Sequence, residues 1–174
     1  LAHLHPDRLA GVVLNDIGPE VAETGIARIM DYVGREPDLP DLDTAASALA
    51  HVHAAAFPGV PLARWRAQAE AMFVEKPDGG LGLRYDARLR DALVGQAGAG
   101  EAPDLWQMFD ALAAIPTAAI RGANSDLLSP ETFAAMQARN PDLIPATVPD
   151  RGHVPFLDEP EALAAIETLL ERSA

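Results

Sequence analysis

Pro116-Thr117-Ala118-Ala119-Ile120-Arg121-Gly122-Ala123-Asn124-Ser125-Asp126 is a short apolar run closed by a polar turn. Residues 117–121 are too few for a helix and too apolar for a surface loop, so they predict a buried strand. The same pattern occurs twice more. Gly11-Val12-Val13-Leu14-Asn15-Asp16 precedes it, with tandem valines and a polar end, and Gly18 and Pro19 break it. Residues 143–148 follow it and lead into Pro149-Asp150-Arg151-Gly152-His153. Helices are predicted after the second and third strands. Ser129-Pro130-Glu131 has a capping Ser and a Pro at the first helical position. Asp158 and Glu161 are spaced as in a capping box, and Leu163, Ile166 and Leu170 give that last helix an apolar stripe. Strands alternating with helices imply an α/β fold, a parallel sheet with helices on its faces. Three strands alone would leave two open edges, which suggests that part of the sheet is missing.

The segment between the first two strands reads differently. Helices are expected over 21–33, 42–56 (capped by Asp41 or Asp43), 61–72, 86–93 and 104–112, with a loose stretch over 95–103. Residues 73–75 and 81–84 flank Pro77-Asp78-Gly79-Gly80 and predict a small hairpin. The expected organisation is a core of residues 1–18 and 113–174, interrupted by a mainly helical insertion over 19–112. Residues 1–5 read as the end of a helix, stopped by Pro6 and Asp7.

Composition narrows the function. The chain has 174 residues, 26 acidic against 13 basic, and a formal net charge of −13. Alanine contributes 34 residues and lysine one, Lys76. A scattered, outnumbered set of cations argues against a nucleic-acid partner. No run of about 18 apolar residues predicts a membrane span, and no basic-then-apolar signal opens the chain. The absence of cysteine excludes disulfides and a thiol nucleophile among these residues, and fits a cytoplasmic location.

Chemistry is expected past the carboxyl ends of the strands, where open α/β sheets place ligands. Two loops there carry Asp126 and His153. A histidine can act as a general base near neutral pH when a buried carboxylate holds its tautomer. Each residue alone has an ordinary reading: Asp in an Asn-Ser-Asp turn forms turns, and a loop His is often solvated. Their joint position, one loop after each of two adjacent strands, makes the pair a candidate.

Residues 116–126 resemble the acid turn of the α/β-hydrolase family. Val148-Pro149-Asp150-Arg151-Gly152-His153-Val154-Pro155 resembles its histidine loop, and Glu159-Pro160-Glu161 the start of its final helix. Residues 5–16 resemble the approach to its sixth strand. The resemblance covers about 80 residues at the two ends of the chain, and the middle matches only as the place of a helical cap. It implies a nucleophile–acid–histidine triad with Asp126 as acid and His153 as base. Asp16 is the alternative acid, because some members carry the carboxylate after the sixth strand. The nucleophile elbow, usually Gly-x-Ser-x-Gly, does not occur in the sequence. The resemblance therefore suggests the carboxyl-terminal part of a hydrolase, with the nucleophile upstream of Leu1 and these residues inactive alone. The implied reaction is cleavage of an ester, lactone or similar carbonyl compound. The alternatives are an Asp-nucleophile dehalogenase or epoxide hydrolase of the same fold, and a non-catalytic interaction module.

Other candidates fail on local grounds. Ser125 lies in the acid turn and Ser129 at a helix cap, and neither has the strand–turn–helix setting of a nucleophile. His3 with His5, and His51 with His53, are two apart on helical segments and face different ways, so no metal site is expected. Gly79-Gly80-Leu81-Gly82 lacks the Lys-Ser/Thr tail of a phosphate loop. No cofactor is expected. Trp106 and Met108 are the candidates for lining an apolar or acyl pocket, although such residues more often simply pack a cap against the sheet. The expected partner is a small molecule, and an exposed first strand would allow pairing of two copies.

Overall fold

A computed structural model of the chain describes residues 1–98 and 104–174. Its residues cluster into two compact units, Leu1–Ile26 with Pro103–Ala174, and Ala27–Ala102. The first unit thus takes in residues 19–26 and 103–112, which the sequence pattern alone places in the insertion. The physical reason is packing: Phe109 and Leu112 are buried in the core beside the sheet.

In the first unit, β1 (Val12–Asn15), β4 (Thr117–Gly122) and β5 (Ile144–Val148) form a three-stranded sheet in the order β1-β4-β5. Both pairings are parallel. The central strand is buried along its whole length, with small and apolar residues at 118–120 between Thr117 and Arg121. Its residues alternate between two cores. Ala119 joins Phe109, Leu112, Leu128, Phe133, Met136 and Leu143 on one face. Ala118 and Ile120 join Ile144, Val148, Ala162, Ala165 and Leu169 on the other. This is the period of two that sends successive side chains to opposite faces. The helices α6 (Pro130–Arg139) and α7 (Pro160–Arg172) supply the two covers.

Ser129 caps α6 as its sequence predicts, its side chain accepting from the Thr132 amide. At α7 the N-cap position falls one residue later than the expected Asp158. Glu159 is the N-cap residue and its side chain makes no cap hydrogen bond, being engaged elsewhere. Residues 1–5 make one turn, with the His5 amide bonded to Leu1 O. A short 3-10 helix, Pro6–Arg8, follows, so Pro6 opens a second turn rather than ending the chain's helical path. Met136 is fully buried against the sheet. Met136→Ala is expected to cost about 2–5 kcal/mol through lost contact and a residual cavity. Denaturant unfolding measures this, and an unchanged midpoint would contradict the packing.

The second unit continues α1 (Glu23–Tyr32) and contains α2 (Leu42–Val52), α3 (Leu62–Met72), the hairpin β2 (Phe73–Glu75) with β3 (Leu81–Leu83), and α4 (Leu89–Gly98). Asp41 caps α2 by accepting from the Thr44 amide at 2.7 Å. The hairpin is antiparallel, and its turn places Gly79 and Gly80 at φ of 97° and 73°, where a side chain would be strained. His53, Phe57 and Trp65 form an aromatic cluster, with His53 stacked on Trp65 at 5.3 Å. The helix expected over 86–93 starts and ends later, because Gly95 did not break it. The loose stretch over 95–103 is therefore helical to residue 98, and residues 99–103 lie outside the described residues. The last helix, α5 (Leu105–Asp110), belongs to the first unit and is capped by Asp104.

Candidate functional site

Register brings three segments to one end of the sheet. Asn15 of β1 lies beside Ile120, and Gly122 lies beside Val148. Residue 16, the turn from 122 to 128 and the loop from 149 to 157 therefore leave the strands at nearly the same level.

Asp16 takes a left-handed conformation, φ 55°, directly after β1. Aspartate tolerates that region better than most residues. Its amide stays on the ladder, donating to Ile120 O at 2.7 Å, while its side chain turns inward and is fully buried. Oδ1 accepts from the Gly122 amide at 2.8 Å. Oδ2 accepts from the Ser125 hydroxyl at 2.6 Å and lies 2.9 Å from His153 Nδ1. A buried carboxylate needs such a set of donors to offset its lost hydration. An ionised carboxylate can only accept, so the hydrogen bond assigns the proton of neutral His153 to Nδ1 and leaves Nε2 as the acceptor nitrogen. The His153 side chain is 19% exposed, against 0% for Asp16.

Ser125 serves this arrangement as a connector. Its Oγ donates to Asp16 and accepts from the amides of Leu127 and Leu128, each at 3.1 Å. The buried Arg121 holds the same turn by donating from Nε to Leu128 O at 2.8 Å. The histidine loop is tied to the turn through Ala123 N to Val148 O and Asn124 N to Arg151 O, both 2.8 Å. Asn15 adds a bond from Nδ2 to Pro155 O at 3.1 Å.

These approaches leave no room for a side chain at residue 122. A Cβ on Gly122 would collide with the backbone oxygens of Arg151 and Gly152. Gly122→Ala is therefore expected to destabilise the protein by about 1–3 kcal/mol and to shift the amide that donates to Asp16. Thermal unfolding followed by circular dichroism tests this, and an unaltered midpoint would show that the loop yields without cost.

The structure brings Asp16 and His153 together. The partner of His153 Nδ1 is Asp16 and not Asp126. Asp126 is half-buried in the adjoining turn, where its carbonyl accepts from Thr24 Oγ1 at 3.4 Å. Trp106 packs on the core, edge-on to Phe109 and beneath the Arg139 guanidinium, and its Nε1 donates to Glu20 at 2.7 Å. Met108 is 52% exposed. Sequence reasoning missed Ser125 as a donor to the acid, weighing it only as a nucleophile. It also missed Arg151 and Glu159, joined at 2.8 Å within the histidine loop. The signal available was the Arg-Gly-His-x5-Glu spacing, which was read only as a loop and a cap.

A model of the alpha/beta hydrolase family matches residues 1–166. A 3-hydroxybutyrate-oligomer hydrolase from Cupriavidus necator is 34% identical over 171 residues, which cover 94% of this chain and 57% of that protein. The crystal structure of an alpha/beta hydrolase from Novosphingobium aromaticivorans matches with a TM-score of 0.85 at 38% identity, over 98% of this chain and 60% of its own. E-2-(acetamidomethylene)succinate hydrolase matches with a TM-score of 0.68 at 25% identity, over 98% of this chain and 58% of its own. The chain thus spans less than two thirds of the length of each of these relatives.

Proposed function

Because this chain belongs to the alpha/beta hydrolase family, we propose that it supplies the base and the acid of an enzyme that cleaves an ester, lactone or similar carbonyl substrate. His153 is the general base and Asp16 the acid that orients it. The observation that carries this reading is the 2.9 Å contact of His153 Nδ1 with the fully buried Asp16 carboxylate. That contact favours Asp16 over Asp126 as the acid. The nucleophile is a serine outside these 174 residues, in keeping with the missing Gly-x-Ser-x-Gly pattern.

In this scheme the serine hydroxyl gives its proton to His153 Nε2 as it attacks the carbonyl carbon. The imidazolium that forms is stabilised by Asp16 and returns the proton to the leaving alcohol. Water, deprotonated by the same nitrogen, releases the acid. The insertion between β1 and β4 is the segment read as the helical cap. The relative named for hydrolysing 3-hydroxybutyrate oligomers supports trying esters of short hydroxy acids first.

The test is hydrolysis of such esters by the intact protein, with acid release followed by titration. Turnover, abolished by a serine-directed phosphonate, is expected. Absence of turnover across short acyl and hydroxyacyl esters would overturn the reading.

A further inference from the structure

Glu159 is 7% exposed, yet it carries a carboxylate whose Oε2 is buried without a hydrogen-bond partner. Its other oxygen, Oε1, accepts twice: from Arg151 Nε at 2.8 Å and from the Phe156 amide at 3.1 Å. Arg151 stands two residues before His153 and Phe156 three after it. One carboxylate oxygen therefore closes the two ends of the segment that carries the histidine. Arg151 adds further ties. Its Nη1 donates to Asp150 O at 2.8 Å, its guanidinium lies 5.6 Å from the Phe156 ring centre, and its carbonyl accepts from Asn124. Glu159 itself is anchored as the N-cap residue of α7, so the segment is fixed to a helix that packs on the sheet.

A buried carboxylate paired with a partly buried guanidinium, with one oxygen left unsatisfied, is a poor way to gain stability, since desolvation offsets much of the attraction. It is a good way to hold one geometry. We infer that Glu159 and Arg151 are positioning residues that set the His153 ring against Asp16. The inference rests on the reading of His153 as the base. A shift of about 1 Å in a catalytic group costs on the order of 100-fold in rate. Glu159→Ala is thus expected to lower kcat by about 10- to 100-fold with KM within about two-fold. Glu159→Gln, which retains an acceptor for Phe156, is expected to recover part of that loss.

The experiment uses the intact protein, labelled with nitrogen-15. The His153 Nδ1 proton resonance, identified by its loss in His153→Gln, reports the bond to Asp16 without reference to turnover. Expected results are a sharp resonance in wild type and in Arg139→Met, which breaks a distant pair with Asp110, and a broadened or absent one in Glu159→Ala and Arg151→Met. A sharp, unshifted resonance in both clamp variants, or kcat within about two-fold of wild type, would overturn the inference. If His153→Ala retains hydrolysis, the reading of the base fails instead, and the resonance alone decides whether the clamp orders the ring. A clamp variant that loses its circular dichroism spectrum leaves the decision to Glu159→Gln, where an unaltered resonance and kcat would likewise overturn it.

Discussion

Replacing Asp16 by asparagine in the intact protein is expected to lower kcat by about four orders of magnitude, the size of loss found when the acid of a serine triad becomes an amide. The reason lies in donors and acceptors. Asp16 accepts three hydrogen bonds, from Gly122, Ser125 and His153. An asparagine side chain has one acceptor oxygen. With that oxygen kept toward the Gly122 amide, the amide nitrogen would face His153 Nδ1 with a hydrogen of its own. The imidazole then holds its proton on Nε2 and is no longer a base toward a nucleophile. KM should move little, since the side chain is buried behind the ring. Steady-state kinetics on an ester, with circular dichroism to establish folding, provides the check.

Removal of the imidazole is expected to cost more. His153→Ala should lower kcat by about 10^5- to 10^6-fold, the loss seen when a triad base is deleted. The effect on stability should be smaller. Gly122 and Ser125 still donate to Asp16, so the carboxylate keeps two of its three partners. The remaining cost is about 1–3 kcal/mol for a buried acceptor with one bond fewer. Thermal unfolding separates this from the kinetic loss. Turnover within ten-fold of wild type would mean that another group takes the proton.

The chain has the alpha/beta-hydrolase fold, and the sheet that carries the site was legible from short apolar runs alone. Each predicted strand lies within a residue or two of its observed limits. The stretch at 117–121 was legible as a short strand from its Ala118-Ala119-Ile120 centre, although Arg121 ends it. Helix starts at 42 and 130 were legible through Asp41 and Ser129, whose side chains act within their own turn. The unit boundary near residue 112 depends on tertiary packing. Phe109 and Leu112 draw residues 103–112 into the sheet unit, and no local pattern distinguishes that from a place in the insertion.

The site was half legible. His153 and both acids were visible as polar residues one step past a strand. The contact between Asp16 and His153 depends on the backbone of residue 16. A left-handed aspartate directly after β1 directs its carboxylate to the Gly122 amide of β4 and to His153 in the loop after β5, and sequence does not show that turn. Glu159 was hidden for a similar reason. Its place before Pro160 reads as helix capping, while its side chain points back to Arg151 and Phe156. In both cases a local rule accounts for the residue's position, while its side chain is engaged outside its own strand or helix.

The most direct test of the account is kcat for Asp16→Asn and Asp126→Asn measured side by side in the intact protein on one ester. The account predicts a loss of about four orders of magnitude for Asp16→Asn and a rate within a few-fold of wild type for Asp126→Asn. A collapse in Asp126→Asn beside an undiminished Asp16→Asn would contradict it.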